Sequence, residues 1–450
     1  MTPEALIFCD AVPKDQRGLV EHNRSSVGGS LKALGAVALL VYAATLGGCK
    51  AATPSTESLV AIDCALNLGY VPLPILNTEA HGQIAVLNLS ANPDKSNALL
   101  KVIDINMMAL ARGMAVDIQD GLLLAAADNG STTGSLLLIN ESSFAITAIP
   151  FPTGSRPKET DGVVFDPVRS TALVSMSDAE DCPKPGTCTG AAIFNLSTRT
   201  FGPILPSEDT LSNFAVDFIN NASLASSDAI DPLLAADNLP KSQACTLSDK
   251  NVLGLDADPE GLAVDPTTHI WIAGNFGSPT ATIINLNGAS FTSGANCTLN
   301  ESLPPNSINF NTGTGAIGMP GVVINPLTHE ALLTAEGGNQ VALLDLPSLP
   351  VVKLTSSRVS GVRSTIPNDP DGNPFFAATF PYGNTIDVCN NLGYVLEKPV
   401  NYLAQIDLAK LRKSPLSISL PLPSGSCFGT STTFKCGNGS GVKFFPLPTS

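Results

Sequence analysis

The sequence predicts an all-β fold, a β-propeller of seven blades, with six or eight blades as the alternatives. Three observations predict it. A sentence of three to four short strands recurs at a period near 50 residues. Asn, Ser, Thr, Gly and Pro are abundant between the strands, and long amphipathic helical patterns are missing. The chain has 450 residues, 44% hydrophobic and 14% charged, enough to bury one large core or two ordinary ones. A two-domain β-sandwich is the rival fold, and it leaves the repeated sentence unexplained.

The sentence is clearest at Glu260 to Leu286. Gly261–Asp265 is a short apolar strand. Pro266, Thr267 and Thr268 form a turn in which proline presets φ. Ile270–Ala273 is a second strand, Gly274–Pro279 a loop, and the alternating, β-branched Thr280–Leu286 a third strand. Aligned on their closing residues, the first strands end at Asp63, Asp117, Asp166, Asp217, Asp265, Asn325 and Cys389, the last read from TIDVC. Second strands follow from 68–71 through 392–396, and third strands from 83–89 through 403–408. The fourth unit offers only a weak third strand, 232–236. Fourth strands are expected at 98–105, 144–151, 200–206, 350–355 and 415–422. A single blade leaves apolar faces bare, and stacking around a ring buries them.

The first and last units share more than this pattern. Ile62-Asp63-Cys64-Ala65-Leu66-Asn67-Leu68-Gly69-Tyr70-Val71 resembles Ile386-Asp387-Val388-Cys389-Asn390-Asn391-Leu392-Gly393-Tyr394-Val395. In a closed ring these units are neighbours, so a Cys64–Cys389 disulfide is expected to lock it. Setting aside Cys9 and Cys49, eight of the ten cysteines remain, an even number with no C-x-x-C pair. Three further disulfides are expected: Cys182–Cys188 and Cys427–Cys436 within short segments, and Cys245–Cys297 between the irregular insert before the fifth blade and that blade's edge.

Residues 1–48 read as a leader. Lys32 precedes an apolar run, Ala33 to Thr45, too short to span a bilayer stably. Leu46-Gly47-Gly48-Cys49 resembles the lipobox of bacterial lipoproteins, which implies acylation of Cys49 as the mature N-terminus. A tether over 49–57, a propeller over 58–423 and a disulfide-stapled tail over 424–450 complete the organisation. The resemblance places the chain outside the cytoplasm, in the bacterial cell envelope, held to the membrane through an N-terminal lipid.

The net charge is −15, from 24 Lys plus Arg against 39 Asp plus Glu. Nucleic acid is therefore not an expected partner, because phosphate binding needs basic surface. No G-x-S-x-G elbow, H-E-x-x-H or P-loop occurs. His269 and His329 hold matching places in DPTTH and NPLTH and read as turn residues. The segments between second and third strands are rich in Gly, Asn and Asp, and they share a face with the starts of the innermost strands. Binding commonly lives on such loops.

Ala331 to Leu346, ALLTAEGGNQVALLDL, resembles the YVTN/NHL/lactonase-like propellers of exported bacterial proteins. That resemblance implies architecture strongly and activity hardly at all. Asp161, Asn213 and Glu260 stand at the starts of three innermost strands and look like the channel-mouth metal site of gluconolactonase-like propellers. The likeness implies Ca2+, a cation that takes six to eight oxygens. Two functions follow. The first is a non-enzymatic module that binds a protein or cell-surface polymer through its loop-rich face. The alternative is a Ca2+-dependent lactonase or esterase.

Overall fold

A computed structural model describes residues 60–73, 82–91, 98–105, 109–128, 134–152, 162–176, 190–206, 211–227, 233–238, 243–248, 259–275, 280–285, 306–309, 321–335, 340–346, 359–365, 381–397, 402–409, 419–421 and 442–446. Among these residues the strands form seven sheets, each built on an antiparallel meander of four strands, with a fifth strand added in parallel to one of them. The innermost strands are Ala61–Asp63, Ala109–Asp117, Val163–Asp166, Leu211–Asp217, Pro259–Asp265, Gly321–Asn325 and Pro381–Asp387. Each packs against the innermost strand of the next sheet, and the last packs against the first. The sheets thus close a ring. The protein is an all-β propeller, and its sheets are numbered below as blades one to seven.

Alternation along each central strand builds the core. In blade two, Leu123 and Ala125 pack with Tyr70, Ile84 and Val86 of blade one. Their neighbours Leu124 and Ala126 pack with Val163, Phe165 and Ala172 of blade three. Successive side chains of a strand point to opposite faces. Both faces here meet another blade, which is why this strand reads as an unbroken apolar run. The same packing joins Val164 and Leu173 to Phe214 and Val216 across blades three and four. It joins Ile270 and Ile272 to Val322 and Leu333 across blades five and six. Tyr394 and Leu396 of blade seven meet Val60 and Leu87 of blade one. The outer strand Leu99–Asp104 has little cover and is largely exposed or half-buried.

A four-residue turn follows each innermost strand. Its last residue is Asn67, Gly121, Ser170, Asn221, His269, His329 or Asn391, and all seven have φ between 53° and 62°. Left-handed backbone is open to glycine and tolerated by asparagine. Serine and histidine at this place are held there by the turn.

The structure moves two readings. The seventh innermost strand ends at Asp387, two residues before Cys389. Asp387 there does what Asp63 does in blade one: it caps the turn. The outer strands differ as well. Ser419–Pro421, within the expected 415–422, pairs in parallel with Val359–Thr365 as a fifth strand of blade six. Blade seven takes Val442–Pro446 instead, with Tyr402 opposite Pro446. The sequence VKFFP carries a β-branched residue and two aromatics, and fits a sheet surface better than SLP. The last sheet therefore draws on the segment read as a separate tail. Blade six uses Val359–Thr365 as its fourth strand, while 350–355 lies outside the described residues. The weak third strand of blade four is real, at Leu233–Asn238. Blades four and five also have outer strands that sequence left unassigned, Gln243–Ser248 and Asn306–Asn309; the first is half polar, the second almost wholly so.

Blade one is built wholly from the N-terminal side and blade seven wholly from the C-terminal side. The Cys64–Cys389 disulfide joins them, with Cα atoms 5.8 Å apart.

Candidate functional site

A meander puts the turns between first and second strands on one face of the ring. The ends of the second strands, the starts of the third strands and the starts of the innermost strands lie on the other. On the second face, Asp161 lies outside the described residues. Asn213 and Glu260 both fall on innermost strands, but not at equivalent places. Asn213 sits in the regular ladder opposite Ser226. Glu260 is the extra residue of a bulge between Pro259 and Gly261, and Gly261 is the residue opposite Gly274. Ser212 is the residue of blade four that matches Glu260, since it too is skipped in the pairing. Counted back from the closing Asp, Asn213 matches Gly261, and the bulged residue lies one further back in both blades.

The turn face is built from the closing residues themselves. Asp63 Oδ1 accepts the backbone N–H groups of Ala65 and Leu66 at 2.7 and 2.9 Å. Asp117 does the same for Gln119 and Asp120, Asp166 for Val168 and Arg169, and Asp217 for Ile219 and Asn220. Asp265 caps Thr267, Asn325 caps Leu327 and Asp387 caps Asn390. Short polar side chains make such turns because they reach their own backbone two and three residues on. All seven closing residues are buried.

Several of these turns also grip the next blade. His269 Nδ1 lies 2.7 Å from Asp217 Oδ2, joining blade five to blade four. His329 Nδ1 lies 2.6 Å from Asp265 Oδ2, joining six to five. Asn325 Nδ2 donates to Asn391 Oδ1 at 3.0 Å, joining six to seven. Arg169 bridges Asp166 and donates to the carbonyl of Phe218, joining three to four. The disulfide joins seven to one. The hydrogen bond that His269 donates to Asp217 raises the His269 pKa against the opposing effect of burial. Burial pushes the Asp265 carboxyl up, but hydrogen bonds from His329 and Thr267 hold it below its usual range. Burial raises the Asp387 carboxyl, and hydrogen bonds from Asn390 offset part of that rise.

The joint between blades one and two has a different chemistry. Asp63, Tyr70, Asp117 and Glu141 are all buried there. Neither Glu141 oxygen nor the Tyr70 hydroxyl completes a hydrogen bond of ordinary geometry. They are nevertheless close enough to act on one another: burial first, then Asp63, pushes the Glu141 carboxyl up to about 8. Sequence reading missed Glu141, which stands in an Asn-x-Ser triplet between polar neighbours and carries no mark of burial. It also read the histidines correctly as turn residues on the far face but did not see their cross-blade partners. Those partners lie 52 and 64 residues back, a separation that the repeat period itself could have flagged.

Cys64, Cys389 and Asp387 form a group with ligand atoms within 4.8 Å of one another, but both sulfurs are consumed in the disulfide. Cys245 lies on the outer strand of blade four opposite Ala236, while Cys297, Cys182, Cys188, Cys427, Cys436 and Cys49 lie outside the described residues.

No protein-family model matches the chain, and no curated protein matches it. Solved structures do. Hydrazine synthase of Kuenenia stuttgartiensis is similar at 10% identity and a TM-score of 0.53, over 78% of this chain and 95% of that one. The Pan2 WD40 domain of Neurospora crassa is similar at 12% identity and a TM-score of 0.49, over 76% and 86%. The first likeness is one of fold alone.

Proposed function

We propose that this chain is an exported, lipid-anchored propeller of the bacterial cell envelope that binds a protein or a surface polymer through its loop-bearing face. One observation carries the reading. The sheets close into a ring, and their meanders set the ends of the second strands and the starts of the third on the same face. Loops on a rigid frame are where recognition is commonly built. Export is supported by the disulfide, since such bonds persist in oxidising compartments. The lipid rests on Leu46-Gly47-Gly48-Cys49 after the apolar run.

The test uses the purified mature chain, fluorescently labelled, against intact cells and isolated envelope polymers. Saturable binding is expected, lost when segments 129–133 and 336–339 are replaced by Gly-Ser linkers. Mass spectrometry should find an acylated cysteine at the mature N-terminus. Absence of saturable binding, or Ca2+-dependent hydrolysis of lactones or aryl esters that Glu260→Gln abolishes, overturns the reading.

A further inference from the structure

Three carboxyl groups and a phenol are buried together at the joint between blades one and two. Their exposures are 1% for Asp63, 1% for Asp117, 3% for Glu141 and 0% for Tyr70. Two of the carboxyls cap their own turns. Asp63 Oδ1 and Asp117 Oδ1 each accept two backbone N–H groups. Glu141 receives no backbone donor, and neither of its buried oxygens completes a hydrogen bond of ordinary geometry, although Asp63 and Tyr70 lie near enough to act on it. An uncompensated third anion at this place is costly.

Among the residues whose side chains are described, none offers Glu141 a counter-charge. From the first two strands of blade one it faces Asp63 and Tyr70, and from the innermost strand of blade two it faces Asp117. The remaining charged residues with described side chains on the neighbouring elements are Lys101, Asp104 and Asp120, all exposed. Lys101 lies over the Phe144 ring, 4.7 Å from its centroid.

Tyr70 makes the same point by comparison with blade seven. Tyr394 occupies the matching place there, and its hydroxyl accepts from Gln405 Nε2 on the adjoining strand. In blade one the residue opposite Tyr70 is Val86. The Tyr70 hydroxyl, deprived of that partner, is turned over to the carboxyl cluster, where burial and then Glu141 raise its pKa.

We propose that Glu141 is a proton-dependent latch between blades one and two, closed as a neutral acid facing Asp63 and Tyr70 and loosened when it becomes a third anion. A neutral Glu141 brings the one proton that the cluster needs, with Asp63 as its acceptor. Losing that proton sets three negative charges in one buried joint. Blade one stays tied to blade seven by the disulfide, so the loosening is confined to the seam with blade two. The direction follows from linkage. The folded carboxyl titrates near 8, above the ordinary 4.5. Its contribution is full below the ordinary value, and it drains away as pH rises through the folded one. The His269–Asp217 pin between blades four and five has the same sense, because the His269 pKa is also raised. The ring is thus tightest in a mildly acidic medium.

The test compares the full, oxidised chain with Glu141→Gln from about pH 5 to about pH 9. The glutamine amide is neutral at every pH and offers Asp63 a donor. The wild-type unfolding midpoint is expected to fall across this range, and the variant's fall is expected to be shallower, so that the variant is the more stable protein at the alkaline end. A carbon-13 titration of glutamate carboxyls in the wild type reads the latch directly and needs no variant. One carboxyl should titrate several units above the rest and vanish from the spectrum of the variant. Parallel pH profiles for the two proteins, or a Glu141 carboxyl titrating with the exposed glutamates, overturn the proposal.

Discussion

Cys64, the first residue after one innermost strand, is bonded to Cys389, the second residue after another, with 325 residues between them. The two blades they join share no strand. Ring closure therefore rests on this bond and on the apolar seam of Val60, Leu87, Tyr394 and Leu396. For so long a loop the chain-entropy model gives on the order of 5 kcal/mol. We predict that Cys64→Ser/Cys389→Ser folds but loses roughly half of that or more, because the seam survives. Denaturant midpoints measure the loss, and hydrogen exchange should rise first in blades one and seven. An unchanged midpoint, with exchange unaltered in those blades, refutes this role.

The His269–Asp217 pair should titrate as a blade-to-blade pin. His269 sits at φ 58°, so His269→Asn, which tolerates that backbone, removes the imidazole without straining the turn. A hydrogen bond to a charged group is worth roughly 1.5–3 kcal/mol. The folded His269 pKa is raised by its Asp217 partner. The pin's contribution is then whole below the usual histidine value and is lost as pH rises through the raised one. The wild-type advantage over His269→Asn should be largest in acid and shrink in alkali. A constant or growing advantage with pH contradicts the assignment.

The seven left-handed turn positions give a prediction of opposite signs. Gly121 has φ 62° and Ser170 has φ 53°. Gly121→Ala should cost about 1 kcal/mol, because an L-residue is disfavoured there. Ser170→Gly should be neutral or stabilising by up to about 1 kcal/mol, since it relieves that same penalty. Thermal midpoints of the two variants check both signs, and a destabilised Ser170→Gly would mean that the serine side chain holds the turn.

Reading the chain as a sequence found the ring because the closing Asp, the Pro or Asn turn and the second strand all recur in register. The disulfide was legible for the same reason: Cys64 and Cys389 stand in matching segments of the first and last units. The outer strands were less legible, because an edge strand such as Asn306–Asn309 is paired on one side only and needs no apolar alternation. Asn213 was misaligned with Glu260 because it stands one residue nearer its closing Asp217 than Glu260 does to Asp265; the bulge, which both blades share, lies before the residues that set the count. Glu141 could not be read at all, since its burial comes from blade one, about seventy residues earlier in the chain. Segment repeats report the frame, whereas the joints between blades depend on which side chains the frame brings face to face.

Gly69 and Gly393 explain why the words LGYV occur twice, and they carry the last prediction. Each lies early in a second strand. A Cβ on Gly69 would sit 3.0 Å from Leu89 Cδ2, the end of one flexible side chain. A Cβ on Gly393 would sit 2.7 Å from Leu332 Cδ2 of blade six and 3.0 Å from Leu408 Cδ2. Leu332 is fully buried and Leu408 likewise, so neither has room to retreat. In an unconstrained strand, replacing glycine by alanine would stabilise by about 0.5–1 kcal/mol. Overpacking a filled core costs about 1–3 kcal/mol. Gly393→Ala should therefore destabilise by roughly 1–2 kcal/mol, the seam between blades six and seven taking the strain, while Gly69→Ala should stay near neutral. Pairing Gly393→Ala with Leu332→Val should recover part of the loss, as shortening the offending side chain makes room. Equal effects at the two glycines, or no recovery in the double variant, would mean that the glycines are there for backbone freedom and not for the close approach of neighbouring leucines.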